Sequence, residues 1–419
     1  MTTLILVALV VILLLLRQSI LLVLAVGTAY THLFLSNSKI VFMMQDVWAA
    51  IDKEILLAVP MFILAGAVMT RGSIAARLIR LVSALTAPIP GGLGVAAILS
   101  CTVFAAISGS SIVTMLAIST IMYPALLAAG YDRRFSIGML CAGGTLGIII
   151  PPSIPMILYG IMTEVSITRL FLAGILPGLL LASMLSAYAI GMNYNRERSR
   201  WNVHEILASA KEGVLALFLP VLLLGGIYSG HFTPTESAAI ALIYALQVEG
   251  LVYRELSLRD FHAIVAETAA LLGMLLPLLA LATSLNVIMD YERVPQALVA
   301  LMQGFIDSRF TFLLASNILL IVAGCFMEVG SAIVILGPLL APIAASYGVD
   351  PVHFGIIMTV NLEIGYITPP VGLNLFVAMV AFKESFGAIC RSVVPFILIM
   401  LAGLVVICAF PGLSLWLGG

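Results

Sequence analysis

Charge is what this sequence has least of. Asp, Glu, Lys and Arg make up 9% of it, against roughly 25% in soluble domains. Hydrophobic residues make up 62%, and mean hydropathy is +1.20. So few charges cannot cover a surface that faces water. A net charge of −1 supplies no basic patch for a nucleic-acid backbone. Cysteine is scarce as well. Cys101, Cys141, Cys325, Cys390 and Cys408 all lie in apolar runs without metal-type spacing, and read as small buried hydrophobes. The five histidines, His32, His204, His231, His262 and His353, are scattered. No H-E-x-x-H pair, nucleotide-binding glycine loop or paired-cysteine motif is present. These absences argue against an enzyme.

Long apolar runs are what the chain does have. Runs longer than about 18 residues recur, which marks membrane-spanning helices and excludes the weak alternation of a β-barrel. The fold class is an all-α polytopic membrane protein set in a lipid bilayer. Leu4 to Leu16 lacks a basic leader, and Arg17 and a second apolar run follow it. It reads as a first membrane helix and not as a signal peptide.

Two apolar segments carry an interruption. The first is Gly143-Gly144-Thr145-Leu146-Gly147-Ile148-Ile149-Ile150-Pro151-Pro152-Ser153-Ile154-Pro155; the second is Asn361-Leu362-Glu363-Ile364-Gly365-Tyr366-Ile367-Thr368-Pro369-Pro370-Val371-Gly372. Proline removes a backbone donor, and glycine loosens the chain. In hydrocarbon an unpaired peptide group costs several kcal/mol, so a break survives only where protein, water or an ion satisfies it. The two Pro-Pro pairs are 218 residues apart. The same offset pairs Gly147 with Gly365, Asp132 with Asp350, Gly130 with Gly348 and Pro124 with Pro342. The chain is an internal duplication.

Residues 1–192 form a first repeat with an amphipathic arm lying on the membrane at 73–86, a hairpin at 93–128 and a broken helix at 135–165. The earlier helices are expected at 3–16, 19–36 and 54–70, with an interfacial stretch around Asp46 and Trp48. Residues 193–210 are a polar, cytoplasmic linker. Residues 211–419 form the second repeat, with helices at 211–229, 234–252 and 261–289. Its arm is at 293–306, its hairpin at 311–346, its broken helix at 353–382 and its last helix at 389–417. Thr233-Pro234-Thr235-Glu236 is a capping box with proline at the first helical position. Each hairpin run has about 15–17 residues, short of a full span, which favours re-entrant hairpins. With the N-terminus outside, 14 of the 19 basic residues fall on the cytoplasmic side, as the positive-inside rule requires. Both termini are then periplasmic, and the two repeats are inverted relative to each other.

Half-helix ends are electrostatic tools. Free N–H groups attract anions, and free carbonyls attract cations. Ser108, Ser110, Ser111 and Thr114 add hydroxyl ligands at the first hairpin tip. Hard oxygen donors without a cage of carboxylates suit a monovalent cation. Glu328 and Glu363 distinguish the second repeat, and ionisable residues inside a membrane are functional candidates. Neither break holds Lys or Arg.

Gly144-Thr145-Leu146-Gly147-Ile148-Ile149-Ile150-Pro151-Pro152-Ser153, Thr233 to Glu236, and Asn361 to Leu373 resemble the large membrane subunit of tripartite ATP-independent periplasmic (TRAP) transporters. The resemblance covers essentially the whole chain. It implies an elevator-type transporter of a bacterial inner membrane, driven by Na+. It also implies a small four-helix membrane subunit and a periplasmic substrate-binding protein. The latter delivers an organic anion such as a C4-dicarboxylate or sialic acid. By the motif, sodium would be held by Ser108, Ser110, Gly147, Ile150 and Pro152, and by Gly330, Gly365, Thr368 and Pro370. Substrate would meet Ser111, Thr114, Ser153 and Glu328. Two other readings stand beside this one. One is a stand-alone carrier using protons through Glu328 or Glu363, and the other is a passive channel.

Overall fold

The computed structural model describes residues 2–16, 18–35, 39–196, 200–302, 306 and 308–418. Arg17 and Arg198, both used in the orientation count, lie outside them, as does part of the linker and of the second arm. Every element among the described residues is helical. Among the described residues nine helices are long and apolar enough to cross a membrane, or ten if a pair bent by 40° at residues 150–153 counts as one span.

The first half begins with α1 (Thr2–Leu15) and α2 (Ile20–Tyr30), which runs into a π-helical turn, Thr31–Leu35. Next come α3 (Ile40–Ile51), α4 (Ala58–Arg71) and the arm α5 (Ile74–Thr86). The hairpin is α6 (Gly92–Ser108) and α7 (Ser111–Ala128), and the broken helix is α8 (Arg133–Ile149) and α9 (Ile154–Thr163). Helix α10 (Ile167–Met192) closes the half. The second half has α11 (Val203–Tyr228), α12 (Pro234–Leu246) with a π-helical turn at Gln247–Val252, α13 (Leu258–Tyr291) and the arm α14 (Val294–Met302). Its hairpin is α15 (Arg309–Phe326) and α16 (Val329–Ser346), and its broken helix is α17 (Pro351–Tyr366) and α18 (Leu373–Phe382). The chain ends with α19 (Phe386–Ala409) and α20 (Gly412–Gly418).

The 218-residue offset carries α7 onto α16 to the residue, and α6, α10 and α9 onto α15, α19 and α18 within one residue at each end. The caps repeat too. Asp132 accepts from the Phe135 amide at 2.9 Å, and Asp350 accepts from the Val352 amide at 2.8 Å. Thr233 and Glu236 close the expected capping box. Helices α8 and α17 are buried nearly throughout. A helix apolar on all faces belongs at a centre. Helix α8 packs on α6, α7 and α19, and α17 packs on α15, α16 and α10.

Three elements differ from the sequence reading. The stretch around Asp46 is a helix, α3, packed along α13. Met43 and Ala50, seven residues apart, supply its buried stripe, and Asp46 accepts from Ser284 at 3.1 Å. The last helix breaks at Phe410, because Pro411 cannot continue it. The arm α5 does not lie open on the bilayer. Its apolar face, with Ile74, Leu78 and Leu81, is buried against α11 and α6.

The polar face of α5 meets the opposite half. Arg80 pairs with Glu205 at 2.8 Å and Glu212 at 2.7 Å, and just before the arm Arg71, the last residue of α4, pairs with Glu267 at 2.5 Å. Arg77 lies 3.9 Å over the Tyr253 ring. All of these groups fall on the side assigned to the cytoplasm by the basic-residue count. Exposed pairs of this kind contribute little to stability, because water screens them. The stronger contact is Glu249, fully buried on the second π-helical turn. It accepts from the Ser73 amide at 3.2 Å and the Ile74 amide at 3.0 Å, capping α5 from another helix. Glu249→Ala is expected to cost about 1–2 kcal/mol, the value of a lost cap with a charged acceptor. A thermal unfolding midpoint lowered by a few degrees would show this. An unchanged midpoint would show that the cap carries no energy.

Candidate functional site

At the first break, helix α8 stops because of its prolines. Residues 151 and 152 have no N–H, so the carbonyls of Gly147 and Ile148 lose their i+4 donors. The last regular bond runs from the Ile150 amide to the Leu146 carbonyl, at 3.1 Å. Both Pro151-Pro152 and Pro369-Pro370 are cis. Ser153 restarts the helix as its cap, accepting from the Met156 amide at 3.3 Å.

The first hairpin tip fits into this break. Gly109 makes the turn at φ +59°. A Cβ on Gly109 would stand 2.9 Å from the Pro152 carbonyl oxygen. A Cβ on Gly147 would stand 2.5 Å from the Ser110 carbonyl oxygen and 2.7 Å from Thr114 Oγ1. The Ser108 hydroxyl bonds Thr114 Oγ1 at 2.6 Å. Ser108, Ser110, Thr114, Gly147 and Pro152 therefore share one locus of hydroxyls and carbonyls. The Ile150 side chain turns to α10, where it packs on Gly178. From the other side Gly66 of α4 brings its backbone against Ser108. The tip thus ends inside protein.

At the second break the parts are arranged differently. Gly365 of α17 lies against α15, where its Cβ would stand 2.5 Å from the Ile321 carbonyl oxygen and 2.7 Å from Gly324 Cα. The Gly372 amide donates to the Cys325 carbonyl at 2.9 Å. Thr368 donates its amide to Gly365 at 2.8 Å and its hydroxyl to Ile364 at 2.6 Å. Gly330 sits elsewhere on the tip, beside Glu328 and Leu158. Pro370 is exposed. Glu328 is exposed too and caps α16, accepting from the Ser331 amide at 2.8 Å. So Gly324, not Gly330, meets Gly365.

The halves also cross over. Helix α9 packs on α16, and α18 packs on α7. Ser111, at the start of α7, accepts from Asn374 Nδ2 of α18 at 2.5 Å. The sequence reading passes over Gly324 and Asn374 and takes Cys325 only as a buried hydrophobe. Gly324 had a signal, as a small residue one turn before a hairpin tip. Asn374 had one too, as an amide inside an apolar helix that follows a break.

Residues 4–413 match the family described as "Tripartite ATP-independent periplasmic transporter, DctM component". The chain belongs to this DctM family. It is similar to the C4-dicarboxylate TRAP transporter large permease protein DctM of Pseudomonas aeruginosa, 41% identical over 402 residues and covering 94% of each chain. It is similar to the isethionate TRAP transporter permease protein DctMQ of Oleidesulfovibrio alaskensis, 40% identical, covering 90% of this chain and 60% of that one. Among solved structures, the YdaH transporter of Alcanivorax borkumensis resembles it with a TM-score of 0.65 and 16% identity, over 90% of this chain and 88% of that one. That likeness concerns the fold. As a DctM component, the chain is a multi-pass transporter permease and not an enzyme.

Proposed function

We propose that this DctM component imports an organic anion by Na+ symport across a bacterial inner membrane. It works with a small four-helix subunit and a periplasmic binding protein that delivers the substrate. The observation that carries the reading is the first hairpin tip seated in the Pro-Pro break, with the Ser108 and Thr114 hydroxyls and the Ser110 and Pro152 carbonyls gathered beside Gly147 and Gly109. This is a ligand set for a monovalent cation, and interrupted helices near the midplane are the usual ion sites of secondary transporters. The second tip and break would form the second sodium site, around Gly365 and Thr368. Substrate would lie between the tips, near Ser111, Thr114, Ser153 and Glu328. With no Lys or Arg at either break, helix N-termini and hydroxyls would hold the anion. Two relatives are named for C4-dicarboxylate and isethionate, both anions. In an elevator cycle of inverted repeats, the first arm and the hairpins would move together.

The test is uptake into proteoliposomes holding the chain and its small subunit. Uptake of an acid bound by the partner binding protein should require both that protein and an inward sodium gradient. Uptake that ignores sodium and follows a proton gradient would move the coupling to Glu328 or Glu363. Uptake without the binding protein would indicate a stand-alone carrier, and non-saturating flux would indicate a channel.

A further inference from the structure

Glu363 has no place in the two sodium sites described above, yet it is one of the most conspicuous groups in the molecule. It lies on α17, one turn before the break, and is 0% exposed. Neither carboxylate oxygen accepts a hydrogen bond among the described residues. Its polar neighbour is the Ser111 hydroxyl of the other half, and the charged group acting on it is a second carboxylate, Glu328. A lone carboxylate in such a setting costs several kcal/mol unless something neutralises it.

A second observation points to the same spot. Asn374 is also 0% exposed, and its Oδ1 is without a donor. Its Nδ2 is tied to Ser111 Oγ, so the amide is fixed beside that hydroxyl. No hydrogen bond joins Asn374 to Glu363. The carboxylate, the amide oxygen and the serine oxygen are thus three kinds of hard donor gathered around Ser111, two of them unsatisfied. A proton satisfies one such oxygen at a time. A monovalent cation takes several oxygens together, and one carboxylate cancels its charge.

The duplication sharpens the point. The 218-residue offset places Thr145 opposite Glu363, Met156 opposite Asn374, and Val329 opposite Ser111. Thr145 is already satisfied by the Ala142 carbonyl at 2.6 Å. The first broken helix has no counterpart of this cluster. It exists only where the first hairpin meets the second broken helix.

We propose that Ser111, Glu363 and Asn374 form a third monovalent-cation site, bridging the first hairpin and the second broken helix. The inference rests on the sodium-coupled reading and extends it. An ion here ties the tip of α7 to α17 and α18, so that loading one half's hairpin depends on the other half's helix.

The test is equilibrium binding of radioactive sodium ion to the full chain purified with its small subunit, with choline replacing sodium at constant ionic strength. Glu363→Gln, close in shape to the native residue, should bind one sodium fewer per chain at saturation than wild type. Ser111→Ala should weaken the affinity of one site by about tenfold or more, as loss of a ligand to a charged group does. Should Glu363→Gln fail to elute as a monodisperse complex, Ser111→Ala decides the matter. Unchanged stoichiometry in Glu363→Gln, or unchanged affinity in Ser111→Ala, overturns the third site and leaves the sodium-coupled reading standing. A wild-type complex that binds no sodium overturns both.

Discussion

Gly147→Ala is expected to reduce sodium-driven uptake about a hundredfold while the protein still folds. The added methyl would meet the Ser110 carbonyl oxygen at 2.5 Å and Thr114 Oγ1 at 2.7 Å. Both lie at the hairpin tip, in the turn that links α6 to α7 and in the first turn of α7. The tip would move by a fraction of an ångström to about one ångström. Displacements of that size at a reacting or binding locus cost about a hundredfold. The fold survives because α8 stays packed on α6, α7 and α19. Initial uptake rates, compared with gel-filtration profiles of the same preparations, would show it. Gly225→Ala is the control, since its methyl would meet nothing within 4 Å, and its uptake should equal wild type. Wild-type uptake by Gly147→Ala would remove the first tip and break from the transport mechanism.

Gly365→Ala has a different expected outcome, although the offset makes it the equivalent change. Its methyl would meet backbone on both counts, the Ile321 carbonyl oxygen at 2.5 Å and Gly324 Cα at 2.7 Å. These atoms lie in the last two turns of α15, not on a loop, and a helix backbone cannot rotate aside as a side chain can. The helices must separate, which breaks close packing along the α15–α17 contact. Overpacking of this kind costs about 3 kcal/mol, or about 5 °C in the unfolding midpoint. Uptake should fall to background as well. A midpoint equal to wild type would show that α15 and α17 tolerate separation, and that the glycine pair is not what holds them.

Much of this plan was legible in the sequence because its strongest signals are local. The Pro151-Pro152 and Pro369-Pro370 pairs marked the breaks, and the offset between them set the repeat. Asp132 and Asp350, alike in the two halves, cap α8 and α17, which begin two residues before the starts read at 135 and 353. The Thr233 capping box was readable to the residue. What escaped was set by tertiary contact. The helix α3 has a sparse stripe, and packing on α13 rather than its own composition makes it helical. The choice of Gly324 over Gly330 depends on which face of α15 meets α17, and two short apolar runs do not declare that. The pairing of Ser111 with Asn374 joins residues 263 apart. It follows from the crossing of α18 onto α7, for which the sequence holds no local mark. Glu328 drew notice as a charge at a hairpin tip, and the structure uses it to cap α16.

The arms carry a related lesson. Sequence amphipathicity identified α5, and both membrane surface and protein surface satisfy such a stripe equally. Four acidic groups, Glu205 and Glu212 of α11, Glu249 of the second π-helical turn and Glu255 beyond it, decide between them. They hold the arm against the opposite half.

The central claim is that the two hairpin tips meet the two breaks to hold sodium. Its most direct test is a pair of high-resolution structures of the assembled complex, one in sodium chloride and one in choline chloride. The account predicts an ion peak between Ser108, Ser110 and the Gly147–Pro152 backbone, and another beside Gly365 and Thr368, both absent in choline. Identical maps, with neither peak present in sodium, would contradict it.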